Sequence, residues 1–335
     1  MEQHLMWHWP IIGYLFLAGL GAGAIAVSGI VVLWAPAGEF RHRATLIARL
    51  GAYIGPLPVM VGTALLIFEL GRPYRALNLL TSNFWFMAFN PSPMNWGSWF
   101  ILLFCIFATV YAFTFVPWRT LLGGERGERW EARGERIRSP MAVICVPLAI
   151  AMAIYTAILL AAVPARPLWH TPVLWLLFTV SALSTGLSAI ILVQRFMFRK
   201  PGAVRGAVRR EDPAFRVSEY YLVSMKVLLI IAELVVIGLF FMFAHMTINS
   251  ANFAVQTLLP GGELATAFWV GVILVGLLMP AFIEGFYLLR TAVLGHEFEW
   301  PYVINVSAPI AILFGGLMLR YVIVVGGQIT GPIGI

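Results

Sequence analysis

Charge is scarce in this chain. Of its 335 residues only 11% are Asp, Glu, Lys or Arg, while 61% are hydrophobic. So few charges cannot cover a water-soluble domain, and lipid is the expected solvent for much of the surface. Cysteine is nearly absent: Cys105 and Cys145 both fall in apolar segments, and no C-x-x-C occurs. Neither a cysteine-ligated iron–sulfur cluster nor a zinc finger is expected in this chain, and no metal site is predicted. Histidine is missing from the middle of every apolar segment. His4, His8, His170 and His245 fall at one boundary, His42 and His296 at the other. A membrane haem needs imidazoles on facing helices, so none is expected here, boundary pairs being the one arrangement left for it. The opening MEQHLMWHWP lacks the basic region and cleavage site of a signal peptide, which predicts that the first apolar run is retained.

Apolar sequence is what the chain has in abundance. A membrane span needs about 20 such residues. Eight spans are expected, roughly 10–34, 48–70, 97–118, 140–164, 172–198, 218–244, 264–290 and 301–325. The predicted fold is all-α: a polytopic membrane protein whose residues 1–335 form a single integral membrane domain, with eight transmembrane helices in two packed bundles. Its basic residues set the orientation. Arg41, Arg43 and Arg49 follow the first span; Arg119, Arg126, Arg129, Arg133, Arg136 and Arg138 follow the third; Arg195, Arg199, Lys200, Arg205, Arg209, Arg210 and Arg216 follow the fifth; Arg290 follows the seventh. Of the 22 Lys and Arg, only Arg72, Arg75 and Arg166 fall in the other loops, and only Lys226 and Arg320 inside spans. The positive-inside bias predicts cytoplasmic loops after the odd spans and both termini extracytoplasmic. It also accounts for the net charge of +7 without any nucleic-acid partner.

Three connections stand out. Residues 119–138, of mixed charge, suit a solvated loop or a short surface helix. Residues 71–96 are amphiphilic and aromatic, and residues 245–263 stay uncharged until Glu263. Long loops of this kind are more often functional than idle, and a cap or docking site on the membrane surface is expected. Trp7, Trp9, Trp85, Trp96, Trp99 and Trp169 sit near span ends, as an interfacial aromatic belt would. Gly13, Gly19, Gly21 and Gly23 on the first span suit close helix packing. Pro147, Pro280 and Pro309 are candidate interruptions of their spans.

Ionisable side chains within spans are costly and mark function by default. Glu219, Lys226 and Glu233 recur every seven residues on the sixth span, so neighbours lie near one stripe, about 10 Å apart along the axis. With Glu284 on the seventh span and Arg320 on the eighth, they suit a hydrated proton path. They equally suit buried ion pairs, Lys226–Glu284 for example, that hold helices together. A second polar set gathers at the extracytoplasmic ends: His8, Glu69, Arg72, Arg75, Ser92, Asn95, Tyr155, Thr156 and His245. Apolar walls with a few donors and ionisable groups suit a flat ligand with two carbonyls, such as a quinone. Quinone reduction consumes two protons, so a nearby His, Glu or Tyr matters. Taken singly, each of these residues also suits plain interfacial anchoring.

Six stretches carry a family resemblance: YLFLAGLGAGA (14–24), FELGRPYRALNLL (68–80), NPSPMNWGSW (90–99), YTAILL (155–160), STG (184–186) and LRYVIVVGGQ (319–328). In this order they resemble the NrfD-like membrane-anchor subunits of polysulfide reductase and its relatives. The resemblance implies a quinone-reactive subunit, for menaquinone or ubiquinone, without haem or iron–sulfur cluster of its own. It implies an extracytoplasmic ferredoxin-like partner with four 4Fe-4S clusters, a molybdopterin catalytic subunit beyond it, and a dimer of such heterotrimers. It further implies the cytoplasmic (inner) membrane of a bacterium or archaeon. The family's quinone ligands carry over to His8 and Tyr155, with Thr156 adjacent. The expected pocket is His8, Glu69, Arg72, Asn95 and Tyr155, with His8 or Glu69 handling protons and Tyr155 holding a quinone oxygen. The competing readings are a transporter and a purely structural anchor.

Overall fold

The computed structural model describes residues 7–34, 39–69, 72–81, 92–197, 213–246, 249–294 and 302–331. Among these residues the secondary structure is helical, with no strand. Eight helices are long and apolar enough to cross a bilayer: Trp9–Trp34, Thr45–Glu69, Pro93–Phe113, Gly124–Ala161, Leu174–Phe196, Tyr220–Met246, Ala267–Thr291 and Val306–Ile329. Each coincides with an expected span, and the chain is a multi-pass membrane protein. Helices are the natural outcome, because lipid offers nothing to bond a free amide or carbonyl.

The prolines behave differently from one another. Pro147 and Pro309, candidate interruptions, lie inside continuous helices. Neighbouring helices and small local adjustments re-satisfy the freed carbonyls in such settings. Pro280 follows a π-helical stretch, Ala267–Leu278, where the helix is locally widened. The second span does break: helices Glu39–Ile54 and Pro56–Glu69 meet at Gly55, where Pro56 lacks an amide hydrogen.

The first span is the hub. It packs against the second, fourth and fifth; the third leans on the fourth, the sixth on the fifth and seventh, and the eighth on the fifth and seventh. Spans one to four thus form one bundle and five to eight another, joined where the first and fourth meet the fifth. The helix backbones touch at glycines. A methyl at Gly186 would overlap the backbone of Gly23 and Ala24 on the first span, and Gly276 and Gly315 meet between the seventh and eighth. With lipid as solvent, such close van der Waals packing drives association. Gly186→Ala is expected to cost about 1–3 kcal/mol by overpacking. Gly238→Ala, in open space, should cost little. Equal thermal midpoints for the two variants in detergent would contradict this account of the joint.

An even number of spans puts both chain ends on one face, here termed the terminal face. The opposite face carries arginine. There, helix Trp118–Leu122 folds back on helix Gly124–Ala161 through Gly123 and Gly124, at φ 64 and 56, a region that favours glycine. Residues 124–138, expected as a loop or short surface helix, are the first four turns of the 38-residue fourth helix. At roughly 57 Å that helix far exceeds the bilayer core. Arg138 anchors its base by donating to the Thr114 carbonyl at 2.9 Å and stacking 4.4 Å from the Phe115 ring centre.

Candidate functional site

Near the terminal face, each of the first four spans carries a polar side chain with a buried or largely buried end. Pro93 opens the third span at a position where its missing N–H costs nothing. The Ser92 carbonyl accepts from the Asn95 and Trp96 amides at 3.0 and 3.2 Å. Asn95 is therefore fixed on the first turn, 2% exposed, with an amide oxygen that has no protein hydrogen-bond partner. Two residues on, Gly97 lies against the Tyr155 phenol so closely that a methyl would overlap the ring and hydroxyl. Phe100, one turn deeper, stands 6.3 Å from the Tyr155 ring, and Trp96 stands 6.4 Å from Phe100. From the first span comes Tyr14. It is fully buried, its hydroxyl has no protein hydrogen-bond partner, and it is near enough to Tyr155 and Cys105 to interact electrostatically. At the end of the second span, one Glu69 carboxylate oxygen is likewise buried without a partner.

The other predicted members stand apart. His8 is exposed at the head of the first span, and Arg72 and Arg75 are exposed beside the turn Pro73–Arg75. Thr156 is buried, but its hydroxyl donates to Ala153 at 2.6 Å within its own helix. His245 is exposed at the end of the sixth span.

Deeper in the second bundle, the intramembrane charges resolve into two units. Lys226 and Glu284 form an ion pair between the sixth and seventh spans, both 2% exposed. Glu233 hydrogen-bonds to Ser181 of the fifth span. Arg320 donates to the same Ser181 hydroxyl, to the Gly316 carbonyl at 3.0 Å and to the Phe178 carbonyl at 3.5 Å, and its guanidinium lies 5.1 Å from the Phe178 ring centre. Gly19 leaves room for this head group, since a methyl there would come within 3.2 Å of it. Each unit couples one acid with one base, the arrangement that makes buried charge tolerable. The Glu219 side chain lies outside the described residues.

The family model described as "Polysulphide reductase, NrfD" matches residues 1–332. The chain belongs to this family. It is 33% identical to the C polypeptide of the polysulfide reductase of Wolinella succinogenes over 336 residues, covering 98% of this chain and 96% of the relative. It is 28% identical to "Protein NrfD homolog" of Haemophilus influenzae over 342 residues, and 25% identical to "Protein NrfD" of Escherichia coli over 348 residues; each match covers 98% of this chain and 96% of the relative.

Three features of this NrfD-family chain escaped the sequence. Tyr14 opens a stretch that carries the family resemblance, yet an aromatic at the head of an apolar span reads as belt. Ser181 is one of four hydroxyl residues in SALSTGLS, a density of polar groups that is unusual for a span. Trp169, expected in the interfacial belt, is instead buried. Its ring stacks 4.8 Å from Trp7 and its indole donates to the Ile323 carbonyl at 2.7 Å. Gln328 completes this latch by bonding the Trp7 amide at 2.8 Å and the Trp7 carbonyl at 3.1 Å. Trp85 lies outside the described residues. Trp9 and Trp96 are exposed, as an interfacial belt requires.

Proposed function

We propose that this chain is the quinone-reactive membrane anchor of a respiratory oxidoreductase complex. It exchanges electrons between the quinone pool of a bacterial or archaeal cytoplasmic membrane and an iron–sulfur subunit docked on the terminal, extracytoplasmic face. A molybdopterin catalytic subunit completes the complex. The observation that carries this reading is the set of unpaired buried polar atoms on Tyr14, Glu69 and Asn95 near the terminal face, with Tyr155 close to Tyr14, on a chain that matches the NrfD family throughout. An apolar ring with two oxygens fits them: aromatic walls from Trp96 and Phe100, a phenol donor, and an amide acceptor. A bound quinone supplies two-electron, two-proton chemistry. Tyr155 is the donor for a ring oxygen, and the Asn95 amide oxygen the acceptor for a quinol hydroxyl. Glu69 holds or moves a proton at the end of the second span, with His8 and Arg72 at the surface beyond it. Mild-detergent isolation of the tagged chain tests the assignment. Iron, molybdenum and extractable quinone should copurify with it; a chain isolated without metal or quinone would favour a transporter or structural scaffold.

A second reading concerns energy conservation. The Lys226–Glu284 and Ser181–Glu233–Arg320 units stand at successive depths, which supports a proton route from the arginine-rich face toward the Tyr155 region. Glu233→Gln is expected to abolish charge separation in proteoliposomes containing the complex, read with a potential-sensitive dye. Full charge separation at normal turnover would leave these residues a structural role.

A further inference from the structure

The fifth and sixth spans run antiparallel and meet at Ser181 and Glu233. A step of seven residues along either helix is two turns, about 10.5 Å, and returns to nearly the same face. Seven residues on from Ser181 is Ser188, and seven residues back from Glu233 is Lys226. The two helices therefore present matching stripes, with Ser188 at the depth of Lys226 and Ser184 between the two ionic units. Arg195, seven residues beyond Ser188 and so two turns nearer the arginine-rich face, still acts on Lys226 electrostatically.

The same slab collects buried polar atoms that have no protein partner. They are the hydroxyls of Ser184 and Ser188, one carboxylate oxygen of Glu284 and Nε of Arg320. Both serines are fully buried. Buried polar groups in native proteins are paired with protein or with ordered water, and one orphan alone would be unremarkable. Here two orphan serines lie along the stripe that joins the two ionic units, and each unit adds one unpaired atom of its own, which marks a polar seam.

We propose that Ser184 and Ser188 hold a chain of ordered water that connects the Lys226–Glu284 pair to the Ser181–Glu233–Arg320 unit. This inference rests on the proton-route reading and identifies its missing middle. Each hydroxyl accepts one proton as it releases another, so the seam carries a proton without net change in its own residues. Thr185 is no substitute, because its hydroxyl is committed to the Ser181 carbonyl at 2.8 Å.

The test uses the intact complex in proteoliposomes, with charge separated per electron as the readout and Glu233→Gln as the reference. Ser188→Val should fall to the level of Glu233→Gln, while Ser188→Thr, which keeps the hydroxyl, should retain coupling. Coupling preserved in Ser188→Val but lost in Glu233→Gln would overturn the serine link and leave the route standing. Coupling preserved in both would overturn the route as well. Loss in Ser188→Thr as in Ser188→Val would assign the effect to bulk and overturn the link. A high-resolution cryo-EM map of the wild-type complex gives a reading independent of variant folding. Water density within hydrogen-bond reach of Ser184 and Ser188 is expected, and a dry seam there would overturn the proposal.

Discussion

Tyr155→Phe is expected to lower quinol-linked turnover of the assembled complex by on the order of 10²-fold, the usual scale for losing a group that positions or moves a proton. Turnover with an artificial donor that reduces the iron–sulfur partner directly should persist. The substitution removes one hydroxyl and keeps the ring that packs against Gly97 and Phe100. A drop would therefore report lost chemistry and not a collapsed helix contact. Thr156→Val makes the neighbouring control. Its hydroxyl is already bound to Ala153, so its loss should affect turnover far less. Parallel steady-state assays with the two donors separate these cases. Unchanged quinol turnover in Tyr155→Phe would move the pocket elsewhere.

The second large effect is on assembly. Glu284→Leu leaves the Lys226 ammonium without its partner in a fully enclosed position. Breaking a buried pair from one side costs about 3–5 kcal/mol, a large fraction of the roughly 5–15 kcal/mol that holds a typical domain folded. The single variant is expected to accumulate poorly and to lose its monodisperse peak in detergent. The double variant Lys226→Met with Glu284→Leu removes both charges and should recover accumulation. A double variant as unstable as the single would show that the loss does not come from an unpaired buried charge. If it folds but no longer separates charge, the pair belongs to the route as well as to the packing.

The spans were legible because lipid imposes a length and a composition that any window of sequence displays. The Lys226–Glu284 pair was also legible, since an intramembrane lysine demands a nearby carboxylate and few exist. Ser181 was not. A serine in a span carries no charge signal, and its partners Glu233 and Arg320 lie 52 and 139 residues away, beyond any local period. Asn95 and Tyr155 could be nominated from their motifs, but what seats Tyr155 against the third span is Gly97, whose missing side chain makes room for the phenol. Thr156 illustrates the converse. It neighbours the right residue, yet its helix geometry turns the hydroxyl onto its own backbone. Residues 124–138, with charges of both signs, suit a loop or a short surface helix, and they are helix continuous with the fourth span because that span extends through them.

The most direct measurement is photoaffinity labelling of the intact complex with an azido-quinone, followed by peptide mass spectrometry. The account predicts label on residues 93–100 and 152–157 of this chain, displaced by excess quinol. Label confined to a partner subunit, or to the segment around Lys226, would contradict a quinone site at Tyr155.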